Sequence, residues 1–128
     1  MQTEPAATAV VLVAHGSRAS AANRAHLDLA AALDARIPAA VSGAFMELAQ
    51  PSIADAIGAA VDAGAAVVAV VPYFLHPGRH QQHDIPQLVA DVADARPGAD
   101  IRLLDYFGAD PGVLDLLASQ VDRALNAP

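Results

Sequence analysis

Two kinds of apolar pattern alternate along the chain. Thr8–Ala14 (TAVVLVA) is a continuous β-branched run, the signature of a strand buried on both faces. From Ser20 to about Arg36 the period changes: Leu27, Ala30 and Leu33 recur at helical spacing. A weaker strand follows at AAVSGAFM, Ala39–Met46. Pro51 suits the first position of a helix. That helix faces inward with Ile53, Ile57, Ala60 and Val61, and Gly64 supplies its stop. Ala65–Pro72 (AAVVAVVP) is the strongest strand. Asp84 is a good cap for a helix with Ile85, Leu88, Val89 and Val92 on one face. Asp100–Phe107 (DIRLLDYF) gives a fourth strand, and Asp110-Pro111 opens a last helix with Val113, Leu114, Leu117, Val121 and Leu125 expected inward.

The order is βαβαβαβα. It predicts an α/β fold: one three-layer domain over residues 8–128, a four-stranded parallel sheet flanked by helices and joined by right-handed crossovers. Residues 1–7 are expected to be a flexible N-terminus.

Composition narrows the function classes. The chain has 128 residues, 55% of them hydrophobic and only 4% aromatic, so the core must rest on aliphatic side chains. A net charge of −7 and the absence of any basic run argue against nucleic acid and anionic membranes as partners. With no cysteine, disulfides, thiolate nucleophiles and thiolate metal cages are all excluded, leaving histidine and carboxylate as metal ligands. The longest apolar run, Ala63–Leu75, is about 13 residues and contains Pro72, short of the roughly 20 a membrane span needs. The start MQTEPAATAV carries an acid rather than the basic residues of a signal peptide, so a cytoplasmic location is expected.

In a sheet of this kind ligands bind beyond the carboxyl ends of the strands, where strand order reverses. The residues there are unusual. His15, Gly16, Ser17 and Arg18 follow the first strand, Glu47 follows the second, and Tyr73, His76, Arg79, His80 and His83 follow the third. Every histidine but His26 falls in these segments, and His26 reads as structural. Gly16 would let the backbone turn sharply or approach a ligand. His15 and His80 would face each other if the first and third strands are neighbours. Neutral imidazoles suit Fe²⁺, Co²⁺, Ni²⁺ and Zn²⁺. Glu47 can take a proton, supply an oxygen ligand or simply sit at a helix start. Arg18 and Arg79 suit forked binding of carboxylate or phosphate, or are solvated surface charges. Ser17 can cap the next helix or bind an anion. His76 and His83 read first as polar loop residues.

Three separated motifs, VLVAHGSR, FMELAQPSI and VVAVVPYFLHPGRHQQHDIP, together with the element order, resemble the short form of the sirohydrochlorin cobaltochelatase and ferrochelatase family, in the class II chelatase superfamily. The similarity runs from about Val10 to Phe107. It implies a chelatase-like, flavodoxin-like topology and ATP-independent insertion of a divalent metal into sirohydrochlorin, in cobalamin or sirohaem biosynthesis. The family's histidines fall on His15 and His80, and its acid falls on Glu47. The resemblance also implies a homodimer, with the cleft completed between subunits. His76 and His83 match no family position and stand only as further metal contacts to consider.

On this reading the metal (Co²⁺, Fe²⁺ or Ni²⁺) is a substrate and no organic cofactor is needed. His15 and His80 hold the ion loosely, and Glu47 assists proton removal. Ser17, Arg18 and Arg79 bind the substrate's carboxylates, Tyr73 also contacts substrate, and Phe74 and Leu75 offer the macrocycle an apolar cleft. An alternative is a non-catalytic metal- or tetrapyrrole-binding carrier. A phosphohistidine-type phosphatase is a more distant one, because that chemistry wants an arginine where Ala14 stands.

Overall fold

The computed structural model describes residues 7–126, with the side chain of His80 also outside the described set. The expected flexible segment therefore lies, apart from Ala7, outside the described residues. The elements run β1 (Thr8–Ala14), α1 (Ser20–Asp34), β2 (Ala40–Phe45), α2 (Ile53–Asp62), β3 (Val67–Pro72), α3 (Arg79–Ala95) and β4 (Asp100–Leu103). A 3-10 turn at Phe107–Ala109 and α4 (Pro111–Leu125) complete the chain. All strand pairs are parallel and the sheet order is β2-β1-β3-β4.

One face of the sheet carries the main core. Ala9, Val11 and Val13 of β1, Ala44 of β2, and Val68 and Val70 of β3 meet Ile53, Ala56 and Ile57 of α2 and Ile85, Val89 and Val92 of α3. These aliphatic side chains do the work that aromatics do elsewhere, as the composition requires. The opposite face is covered by α1 over β2 and β1. Close approach there depends on Gly43, where a Cβ would stand 2.9 Å from Leu27 Cδ2 and 3.5 Å from Ala30 Cβ. His26 is buried beneath α1. Its Nε2 lies 2.8 Å from the Leu12 carbonyl, and its ring meets Phe45 edge-on at 5.3 Å. A buried imidazole facing a carbonyl must donate, so Nε2 carries the proton.

Helix ends follow local chemistry. The Ser52 hydroxyl accepts from the Asp55 N–H at 3.1 Å and caps α2. At the other end Gly64 has φ +104°, with Gly64 N bonded to Val61 O and Ala65 N to Ala60 O. That is a Schellman stop. Asp110 caps α4 through Gly112 N at 2.7 Å, with Pro111 at the first position, as the sequence indicates.

Four expectations need correction. Pro51 does not open α2; its carbonyl instead accepts from the Phe45 N–H at 3.0 Å and closes the preceding loop onto β2. Asp84 does not cap α3, which starts five residues earlier at Arg79. There Gln81 Oε1 accepts from the Gly78 N–H at 3.0 Å, and Gln82 N reaches Gly78 O at 2.9 Å. The hydrogen bond that Pro86 cannot donate falls at the exposed Gln82, so the proline sits inside the helix. The histidine-rich segment is thus helical from Arg79 onward, not a loop. The last strand ends at Leu103 rather than Phe107, because the chain turns through the 3-10 segment, where Gly108 N bonds to Phe74 O at 2.8 Å.

The fourth correction concerns α4, whose apolar face does not point inward. Leu114, Leu117, Val121 and Leu125 are 70%, 54%, 49% and 79% exposed, and no residue of the helix is buried. Its one substantial neighbour among the described elements is the 3-10 turn at its own start. Correspondingly, no helix among the described elements covers β3 and β4 on the α1 side of the sheet. Val68 and Val70 point into the main core, so Val67, Ala69 and Val71 point the other way, and all three are only partly buried.

Candidate functional site

The chain reverses direction across the sheet between β1 and β3: β2 was added on one side of β1, and β3 on the other. These two strands are hydrogen-bonded neighbours, with Val13 opposite Pro72. The residues leaving them, His15 and Tyr73, therefore open onto one crevice.

His15 and Glu47 are brought together. His15 Nε2 lies 3.0 Å from Glu47 Oε1, with the two side chains 49% and 59% exposed. The backbone enforces the contact, because Met46 N bonds to Ala14 O at 2.9 Å and Glu47 N to His15 O at 3.1 Å. Those bonds carry the β1–β2 pairing one step beyond the strands. Gly16 makes the approach feasible: its φ is +98°, and any Cβ there would run into the Glu47 carbonyl. A side chain at this position is barred by both torsion and space. With the neutral imidazole donating from Nε2 to the carboxylate, its lone pair resides on Nδ1, free for a proton or a metal ion.

Ser17 is engaged within its own loop. Its hydroxyl accepts from the Ala19 N–H at 3.0 Å. Asn23 pins the same loop from α1, since its Oδ1 accepts from Ser17 N at 2.9 Å and its Nδ2 donates to Ser17 O at 2.7 Å. Arg18 stands exposed at the tip. Arg79, also exposed, occupies the first turn of α3. His76 and His83 are exposed, His76 before α3 and His83 within it. His80 lies in the first turn of α3, with its side chain outside the described residues. Among the described residues no three His, Asp or Glu side chains are grouped so as to hold a metal ion.

The rim is apolar. Leu48 follows β2, Tyr73 and Leu75 follow β3, and Leu104 and Phe107 follow β4, with exposures of 56%, 39%, 60%, 44% and 36%. Tyr73 packs against Phe107 at 5.2 Å between ring centroids. Beyond the ends of β3 and β4 lies a cavity of about 160 Å³, lined by Phe74, His76, Gln81, Leu104 and Tyr106 among others. His15, Arg18, Tyr73 and Arg79 do not line it. Sequence reasoning missed Asn23, Leu48, Leu104 and Phe107. The signal for the last three was large apolar residues immediately after strands, where polar ones are usual.

A family model described as CbiX matches residues 9–124 of the chain. The chain belongs to the CbiX family. The chloroplastic sirohydrochlorin ferrochelatase of Arabidopsis thaliana is 35% identical over 121 residues, covering 94% of this chain but 54% of that protein. The sirohydrochlorin cobaltochelatase of Methanopyrus kandleri is 28% identical over 138 residues, covering 91% of this chain and 96% of that one. CbiX relatives thus include chains of about this length and others of which it spans about half. The crystal structure of the CbiX protein of Marinobacter aquaeolei superposes with a TM-score of 0.79 at 30% identity, covering 94% of this chain and 99% of that one. The α/β fold with a four-stranded parallel sheet is accordingly that of a CbiX protein.

Proposed function

We propose that this chain inserts a divalent metal, Co²⁺ or Fe²⁺, into sirohydrochlorin, releasing two protons, in the cytoplasm. The observation that carries the reading is the His15–Glu47 pair, 3.0 Å apart at the β1/β3 crevice and ringed by exposed apolar side chains. The names of the CbiX relatives support the substrate class.

The pair suits both halves of the reaction. Nδ1 of His15 offers a single exchangeable ligand to an incoming ion, so the ion keeps open positions for pyrrole nitrogens. His80, on the neighbouring segment, is the second imidazole in the proposal. When the ring gives up its N–H protons, the same Nδ1 can accept one, and the Glu47 carboxylate stabilises the imidazolium that results. Arg18 and Arg79 pair with the substrate's carboxylates, offsetting the repulsion of a chain of net charge −7. Ser17 orients the Arg18 loop. Tyr73 and Phe74, with Leu48 and Phe107, provide the apolar wall.

The cavity of about 160 Å³ is small. Ordinary ligand pockets span roughly 300–1,000 Å³, and a tetrapyrrole is larger than most of their ligands. A homodimer that closes the cleft with a second copy removes the mismatch and belongs to the proposal.

The test is an anaerobic insertion assay with sirohydrochlorin and Co²⁺, Fe²⁺ or Ni²⁺ in separate arms. Turnover with Co²⁺ or Fe²⁺ above the uncatalysed rate is expected. His15→Ala, which removes the proton acceptor, should lower it roughly 10²-fold or more, and Glu47→Gln, which leaves the imidazolium without its carboxylate, should lower it by less. Stoichiometric metal binding with no turnover in any arm would replace the chelatase reading with that of a metal carrier.

A further inference from the structure

The loop that leaves β1 is held by two separate anchors. On one side His15 is fixed from β2: its carbonyl accepts from the Glu47 N–H at 3.1 Å, and its Nε2 lies 3.0 Å from the Glu47 carboxylate. On the other side Ser17 is fixed from α1. Asn23 Oδ1 accepts from Ser17 N at 2.9 Å and Nδ2 donates to Ser17 O at 2.7 Å. One half-buried side chain thus takes up both backbone groups of one residue. Gly16, at φ +98°, is the joint between the anchors. Ser17 passes the constraint on, since its hydroxyl accepts from Ala19 N at 3.0 Å. Arg18 is bracketed by these two hydrogen-bonded neighbours. It is exposed and has no ion-pair partner among the described residues, unlike Arg96 and Arg102, which hold Asp62 and Asp100.

Neither polar residue serves the helix. Ala19 starts α1 without a side-chain cap, where Ser, Thr, Asp or Asn would be stabilising. Asn23, at the fourth position of α1, is a weaker helix former than alanine. Both serve the loop instead. We propose that Asn23 is a positioning residue for substrate recognition, holding Arg18 ready to meet a carboxylate of the macrocycle. An arginine on a loose loop must lose backbone and side-chain freedom when it binds, and that loss is subtracted from affinity. A pinned loop has lost most of it beforehand. Because His15 has its own anchor on β2, the proton and metal chemistry does not depend on Asn23. The inference rests on the carboxylate-binding part of the function proposed above and not on metal insertion.

The test is a double-mutant cycle over the native chain, Asn23→Ala, Arg18→Ala and the double variant. Each is titrated with metal-free sirohydrochlorin, followed by quenching of tyrosine emission, and then assayed for Co²⁺ insertion. Asn23→Ala should raise both Kd and KM for sirohydrochlorin about 3–10-fold, the scale of one side chain left to be ordered on binding. Its kcat per folded chain should stay unchanged. Added to Arg18→Ala, the same substitution should raise neither constant further. An equal rise in both backgrounds would overturn the proposal, because Asn23 would then act on the substrate without Arg18. A fall in kcat with KM and Kd unchanged would overturn it too, because Asn23 would then serve His15 or the fold alone. If the native chain binds sirohydrochlorin but inserts no metal, the Kd arm alone decides the role of Asn23 and only the chelatase reading falls. A native chain that binds no sirohydrochlorin would overturn both.

Discussion

Gly16→Ala tests how the site is built, and its magnitude can be worked in two parts. The first is torsional. At φ +98° an L-residue is held in a region that costs about 1–2 kcal/mol. Gly64, at φ +104° with nothing within 4 Å of the place a methyl would occupy, isolates this part in the variant Gly64→Ala. The second part is steric. A methyl on Gly16 would overlap the Glu47 carbonyl, so that loop must move, at a cost typical of overpacking, about 1–3 kcal/mol. Gly16→Ala should therefore destabilise by about 2–5 kcal/mol, and Gly64→Ala by about 1–2 kcal/mol. In urea, with a slope of about 2 kcal/mol per molar, the midpoints fall by roughly 1–2.5 M and 0.5–1 M. Equilibrium unfolding followed by circular dichroism reads both. Displacing the Glu47 backbone also carries its carboxylate off His15, so the folded fraction of Gly16→Ala should lose metal insertion, whereas Gly64→Ala keeps it. Equal midpoint shifts for the two variants would refute the claim that the Glu47 loop closes onto Gly16.

Other outcomes follow from contacts away from the reacting centre. His26→Leu should cost about 1–3 kcal/mol, because the Leu12 carbonyl loses its buried donor, measured by the same urea titration. Asn23→Ala removes two hydrogen bonds to the Ser17 backbone and should cost about 1–2 kcal/mol, with faster hydrogen exchange at the Ser17 amide as its local signature. The Asp62 carboxyl is held below the usual carboxylate range, first by its hydrogen bond from Arg96 at 2.8 Å and then by the arginine's charge. A carboxyl whose folded pKa is depressed stabilises above its unfolded value, near pH 4, and that contribution disappears as pH falls through the folded value. The small stability gap between the native chain and Asp62→Asn should thus close as pH drops below about 4, and shrink in high salt because the pair is exposed.

The parallel sheet was legible because Thr8–Ala14 and Val67–Pro72 have no polar alternation, although one face of the second is only partly buried. Gly64 and Asp110-Pro111 were legible because the backbone at a helix end restricts the residue choice locally. Asp84 misled for the converse reason. It looks like a local start signal, while the true start is set by Gln81 reaching back to Gly78 and by the burial of Ile85 against the core. The direction of α4 was illegible. A stripe of leucines says that the helix packs on something, and it is silent on which chain supplies the surface. At the site, the concentration of histidines after strands was visible in the sequence, and so was the special role of Gly16. The His15–Glu47 contact was not. It depends on strand register and on a loop closing over a glycine, and neither leaves a mark in residue spacing.

The placement of the tyrosines gives the molecule a built-in optical reporter. There is no tryptophan, and the only two tyrosines are Tyr73, stacked beside Phe107, and Tyr106, at the cavity wall. Emission excited in the tyrosine band therefore originates beyond the carboxyl ends of the strands, from Tyr73 at the crevice and Tyr106 at the neighbouring cavity. A conjugated macrocycle settling there should quench that light by energy transfer, so occupancy can be followed without any label.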